Sequence, residues 1–445
     1  MNTTSTKDQG VLAGRTWVLI VLTLVYTFNH VDRQILITVI EPIKAEFGLS
    51  DEQIGLLTGL AFAALYATLG IPVAMWADRC NRRNIITLAL TIWSGMTALT
   101  GLANNFWHLF LARMGVGIGE SGGTPPATSM IADLYPPQQR AFALGVYTTG
   151  IGFGIMVGYI LGAFVYAQFG WRAAFFAAGI PGLLLALLVR FTVTEPVRGS
   201  SDAYQSTEDA PGFLETLKFM LSQQSYMLIL AGCLMICISA NAFVAFTSSY
   251  LQRTFDVTVS QVSLPLGLLI GGVGGAGAMI LGAVCDRLSA RDLRWRPWMI
   301  AVCSAAALPF AWMMLSAHSV EMAYVWNIIP SFVGLIYASI AYTATQELVK
   351  VRMRSVAAAF TLFSLTLIGI GGGPWIAGRI SDMFLDAGNA APLASALKVI
   401  LAFNAASIVC LLLAGRTYRK DVERAAGTPS PRPEHVAVHE TEAVG

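Results

Sequence analysis

Charge is what this chain has least of: Asp, Glu, Lys and Arg make up 12% of its 445 residues, about half the ~25% of an average soluble domain. A water-facing surface is not covered at that density, and with 55% hydrophobic residues the chain reads as a polytopic membrane protein. It has no basic run and no zinc-ligand spacing, so nucleic acid is not an expected partner. The absence of G-x-x-x-x-G-K-[ST] excludes an ATP-driven pump within this chain. Two G-x-G-x-x-G spacings, Gly117/Gly119/Gly122 and Gly272/Gly274/Gly277, lie inside apolar runs without a preceding strand, and so read as helix-packing or hinge sequences. Cys80, Cys233, Cys237, Cys285, Cys303 and Cys410 follow no pairing or ligand pattern, and neither metal nor other cofactor is expected. The opening residues MNTTSTKDQGVLAGRTW lack a short apolar core with a cleavage site, so the first apolar run is expected to remain as a spanning helix.

What the sequence does hold is apolar runs of about 20 residues, the length that crosses a bilayer. Twelve are predicted, at 17–40, 53–76, 84–104, 106–131, 141–168, 172–192, 224–250, 260–285, 297–317, 321–346, 355–380 and 392–415. This gives a tail over 1–16, a six-helix domain over 17–193, a polar linker over 194–222, a second six-helix domain over 223–416 and a charged tail over 417–445, expected to be disordered from Glu423. Placing both ends in the cytoplasm puts most of the 28 Lys and Arg there, as the positive-inside rule requires. Compact loops point to a bacterial-type inner membrane, and a monomer is expected.

The halves repeat. WADRCNRRN around Asp78 and VCDRLSARDLR around Asp286 occupy the same turn of each half. An acid then closes the fourth and tenth runs with an arginine seven residues on, Asp133 with Arg140 and Glu347 with Arg354. A parallel repeat of this kind predicts a pseudo-twofold along the membrane normal and a substrate site between the halves near the midplane. The alignment sets Arg33 opposite Asn241 and Arg113 opposite Asn327, which assigns ion chemistry to the first half.

These motifs resemble the major facilitator superfamily over essentially the whole chain. Its second-to-third loop signature is present as Ala74, Asp78, Arg79, Arg82 and Arg83, with Ala74 and Asn81 where glycines are usual. The resemblance implies a cytoplasmic gate: Asp78 near the start of the eleventh helix and Arg82 with Asp133, repeated in the second half by Asp286 and Glu347. The fifth run resembles the family's glycine-rich antiporter-type motif through Gly150, Gly154, Gly158 and Gly162, a spacing that close helix packing also explains. FNHVDRQIL at 28–36 and RMGVGIGES at 113–121 are similar to the Spinster-like branch, proton-linked exporters of lysolipids and sphingoid phosphates. That similarity implies Asp32 and Glu120 as proton-linked acids, with Arg33 and Arg113 as their positive neighbours.

Ionisable groups at membrane depth are costly and mark substrate or ion pathways. Arg113 and Glu120 are seven residues apart, roughly 10.5 Å along one helix face. Asp32 and Arg33 point about 100° apart; Asp32 is expected toward a central cavity and Arg33 toward another acid. Arg113, with its planar fork, suits an anionic head group or pairs with Glu120. His30 is a further candidate through its titration near neutral pH. From the second half, Asn241, Thr247, Asn327, Tyr337 and Phe360 are expected at cavity depth, giving a cavity charged on one wall and apolar on the other. The reading is a proton-coupled, alternating-access transporter of an amphipathic anion such as a lysolipid or sphingoid phosphate. Its alternatives are a carrier of a soluble organic anion, sugar phosphate or drug, and an integral-membrane lipid enzyme. An enzyme would need a clustered constellation at one interface, whereas these acids are single or paired with arginine.

Overall fold

A computed structural model of the chain describes residues 6–198, 213–350 and 353–426, with side chains from residue 14 in the first segment and 214 in the second. The helices are α1 (Thr6–Thr38), α2 (Ile40–Phe47), α3 (Asp51–Ala77), α4 (Arg82–Thr100), α5 (Phe106–Glu120), α6 (Thr124–Leu134), α7 (Pro137–Thr192), α8 (Phe213–Leu221), α9 (Gln224–Phe255), α10 (Val259–Ser289), α11 (Trp295–Met314), α12 (Val320–Glu347), α13 (Arg354–Asp386) and α14 (Pro392–Ala426). Among the described residues eight of these are long and apolar enough to cross a membrane: α3, α7 and α9 to α14. Twelve runs were expected. Two of them, 141–168 and 172–192, are two helices that follow each other within α7 and meet at a kink where Gly170 takes φ 80° and ψ 173°, a region closed to most side chains. α5 and α6, 15 and 11 residues long, divide the expected fourth span. The chain turns at 121–123 and restarts at Thr124, with prolines in the first turn, where their missing N–H costs nothing. α1 carries Asn29, His30, Asp32, Arg33 and Gln34 and also falls outside the eight.

Expected boundaries move at both ends. The tail placed at 1–16 is helical from Thr6. The tail placed at 417–445 begins as helix: α14 continues to Ala426, with Tyr418 0% and Asp421 8% exposed. Asp421 accepts the Ser225 N–H at 3.0 Å and the Tyr418 hydroxyl donates to Glu347 at 2.7 Å, so this segment is part of the packed second half. Residues 427–445, and 199–212 of the linker, lie outside the described residues.

The fifth-run glycines face α1: a Cβ on Gly158 would come within 2.6 Å of the Gln34 side chain and one on Gly150 within 3.0 Å of the Thr23 carbonyl. Between the halves, Gly152 of α7 meets Gly271 of α10, while Gly55 and Gly59 of α3 meet Pro374 and Gly371 of α13. Three of these contacts fall on or beside π-helical turns, Leu56–Leu60, Gly267–Val273 and Leu365–Gly371, each of which widens the helix to bring its backbone onto the opposite half. One apolar cluster joins both halves through Ile35, Ile40, Tyr159, Phe246, Leu266 and Leu397. Two others stay within one half each, around Trp93 in the first and Tyr226 in the second.

Polar ties follow the same division. At the Asp51 end they cross between halves: Arg253 reaches Glu41 at 2.7 Å and Asp51 at 2.8 Å, Arg379 reaches Glu52 at 2.8 Å, and Asp382 accepts the N–H groups of Asp51 at 3.0 Å and Glu52 at 2.8 Å. At the Arg82 end, Arg82 pairs with Asp133 and with Glu195 at the start of the linker, and Arg296 pairs with Asp286 and Glu347 within the second half.

Candidate functional site: buried charges in the first half and a neutral cavity in the second

Four charged side chains stand on α1 and α5, Asp32 and Arg33 on the first and Arg113 and Glu120 on the second. Arg33 pairs with Glu120, Nε to Oε2 at 2.8 Å and a second bond from Nη2 to the same oxygen. The Glu120 side chain is fully buried and that of Arg33 22% exposed. A guanidinium beside a carboxylate at this depth recovers by attraction part of what removal from water costs. The Phe62 ring lies 4.3 Å from the Arg33 guanidinium and 5.8 Å from that of Arg113, and Tyr66 lies 5.4 Å from Arg33, so aromatic faces line the cations where water would otherwise be. Arg113 is 4% exposed and its Nε has no hydrogen-bond partner. Of the two partners open to Glu120, its own helix's Arg113 or a residue of another helix, the chain uses Arg33.

Asp32 departs from expectation. It is 1% exposed and packs toward α4, where Thr97 donates to its Oδ2 at 3.2 Å; Oδ1 has no partner. The 100° between neighbours on a helix sends Asp32 into the first half and Arg33 to Glu120. His30 stays local: its Nδ1 lies 3.0 Å from the Tyr26 carbonyl and its ring is edge-on to Tyr26.

The second half lines a cavity of about 200 Å³. Asn241, Thr247, Asn327 and Tyr337 line it, together with Phe243 and Ser304, and every lining residue comes from 236–404. None of Asp32, Arg33, Arg113 or Glu120 lines this cavity. The charges sit together inside the first half, and the cavity walls are neutral. Phe360 is outside this lining and packs against the second half's own apolar cluster. Asn241 donates to the Cys237 carbonyl at 2.8 Å, and Tyr337 to the Cys237 sulfur at 3.4 Å.

At the Arg82 end, Arg82 bonds Asp133 at 2.5 Å and Ser129 at 2.9 Å, joining the first turn of α4 to the end of α6. Sequence reasoning missed its third partner, Glu195, at 2.8 Å, which also accepts the Arg83 N–H at 2.9 Å. The linker's first residues are thereby tied to the loop signature. Asp78 itself is exposed at the end of α3. In the second half Asp286 and Glu347 share Arg296, at 2.8 and 3.1 Å. Arg296 was also missed. It stands in the first turn of α11 as Arg82 stands in that of α4, but ten residues after its Asp rather than four.

Buried ion pairs at membrane depth, glycine seams between two helical halves and a cavity define a multi-pass integral membrane transporter. The chain belongs to the Major Facilitator Superfamily, whose family model matches residues 22–375. This is a family of transporters rather than enzymes, which removes the lipid-enzyme alternative. Within it the chain is Spinster-like. It is 32% identical over 412 residues to an MFS-type efflux pump of Mycolicibacterium smegmatis, covering 92% of this chain and 94% of that one. It is 27% identical over 372 residues to the sphingosine-1-phosphate transporter SPNS2 of Danio rerio, covering 80% of this chain and 73% of that one. A bacterial homologue of the human lysosomal transporter Spinster, solved inward-facing and unoccupied, superposes with a TM-score of 0.78 at 31% identity over 94% of this chain and 99% of that one. Its inward-facing occupied form superposes with a TM-score of 0.75.

Proposed function

We propose that the chain is a proton-coupled carrier that moves an amphipathic anion, of the lysolipid or sphingoid-phosphate kind, by alternating access between two six-helix domains with twelve spans in all. The observation that carries this reading is the buried set Asp32, Arg33, Arg113 and Glu120. Each carboxylate has one oxygen without a partner, and an acid able to gain and lose a proton as access changes is what coupling requires. Arg113, charged at any physiological pH and unpaired at Nε, suits an anionic head group, and the neutral, largely apolar cavity of the second half suits a tail. The cross-half ties at the Asp51 end support an inward-open state. Both termini belong on the cytoplasmic side, and the bacterial relatives favour a plasma membrane.

A second reading rests on the relative called an efflux pump: a drug-like amphipath exported through the same cavity. Proteoliposomes with an imposed pH gradient, offered lysolipids, sphingoid phosphates, sugar phosphates and cationic drugs in turn, separate the two. pH-driven movement of the phosphate lipids, lost in Asp32→Asn and Glu120→Gln, supports the proposal. Uptake by both variants with unchanged pH dependence sinks the coupling. Movement of drugs but not phosphate lipids selects the second reading.

A further inference from the structure

Away from the buried charges, a groove lies on the outer side of the first half, between the start of α1 and the start of α7. Arg15, Leu19, Ile20, Tyr135, Gln138 and Phe142 line it, and none of Asp32, Arg33, Arg113 or Glu120 does. Arg15 stacks over the Tyr135 ring at 5.2 Å and makes no ion pair to a carboxylate among the described residues. Tyr135 is held in place from two sides, donating to the Arg15 carbonyl at 3.4 Å and accepting from Arg140 through its own carbonyl at 3.0 Å. The opposite wall is apolar and open, with Ile20 47% and Phe142 73% exposed.

Depth along α1 gives these groups an order. Trp17, 41% exposed with its indole N–H on the Thr192 hydroxyl at 3.1 Å, is the amphipathic ring that marks a membrane interface. Arg15 stands two residues toward water, and Ile20 three residues toward the hydrocarbon, about 7.5 Å below Arg15 at 1.5 Å per residue. A cation over an aromatic ring, with an apolar wall one and a half turns deeper, matches a phosphate and the first carbons of its acyl chains. Among the described residues the lining holds no carboxylate to receive a choline or amine, so charge complementarity favours a lipid with a net negative head.

We propose that this groove holds a resident anionic phospholipid, phosphate on Arg15 and chains along Ile20 and Phe142, separate from the transport pathway. The inference needs the chain's placement in a membrane and not the substrate reading above. The test is native mass spectrometry of the delipidated full chain, titrated with phosphatidylglycerol or phosphatidylcholine of equal chain length. The expected result is one phosphatidylglycerol held more tightly than phosphatidylcholine. Arg15→Gln should weaken it about fivefold, the equivalent of ~1 kcal/mol per basic residue near a lipid surface, with phosphatidylcholine unchanged. Phe142→Ser, at a position already exposed, should weaken both lipids. Equal binding of the two lipids by the native chain, or native-like phosphatidylglycerol binding in either variant, would overturn the proposal. So would displacement of the lipid by glycerol phosphate at equal concentration, which would make the groove a site for free phosphate.

Discussion

At positions that the sequence repeat pairs, the first half has Arg33 and Arg113 and the second has Asn241 and Asn327. The two pairs lead to opposite interiors. Arg33 closes on Glu120 between α1 and α5. Asn241 bonds to its own helix, and both Asn241 and Asn327 line the second half's cavity. The same helical framework thus carries an ion pair in one half and a neutral-walled cavity in the other. A buried ion pair pulls helices together and must be satisfied in place, whereas a neutral amide satisfied by its own helix leaves the space beside it free.

The largest effect that breaks this contrast is Glu120→Gln. It leaves the partly exposed Arg33 without its counter-charge, at most the ~3–5 kcal/mol of a broken buried pair; transport should fall to background and the thermal midpoint of the purified protein should drop. A native-like midpoint would show that the pair does not hold the first half closed. Next comes the contrast between the two ends of the molecule. Arg253→Gln removes the ties to Glu41 and Asp51, and should shift the population toward opening at that end about tenfold, ~1.4 kcal/mol. Distances between spin labels across the halves read this directly, and an unchanged distance distribution would count against it.

Within the halves, Thr97→Val should slow pH-driven uptake about fivefold, the ~1 kcal/mol of one hydrogen bond, and Thr97→Ser should restore it. Asn327→Leu should raise the apparent KM by a similar factor while leaving the pH profile alone. Exchange of these two signatures would mean that the halves do not divide the labour as argued. The smallest effect concerns Glu46, held below the ordinary glutamate range by hydrogen bonds from Arg172 and Trp171. Its depressed value means the tie is present above the ordinary glutamate pKa and lost as the medium is acidified through the lower one. Being exposed and screened, it should contribute only a few tenths of a kcal/mol, seen as a slightly shallower acid melt in Glu46→Gln.

Much of this was readable in the sequence because charge is scarce. An Asp-Arg neighbour pair on one helix has to look in two directions, and so Arg33 was expected to seek another acid. The identity of that acid, and the turn of Asp32 toward Thr97, depend on how α1, α4 and α5 cross, which no spacing encodes. Phe62 sits in an apolar run like any other aromatic, and nothing marks it as the ring beside two guanidiniums. The end of α14 was misjudged because its charge density suggested a solvated tail. Yet Ala414, Tyr418, Asp421 and Ala425 repeat at helical spacing and are all buried, a pattern that was there to be read.

That buried stripe bears on how the protein is handled at the bench. A reporter or affinity tag joined after Arg416, where the last apolar run stops, would delete the Tyr418 and Asp421 anchors on Glu347 and Ser225. Joined after Ala426, it would leave them intact, and purification yields from the two designs should differ even though no transport residue has been touched.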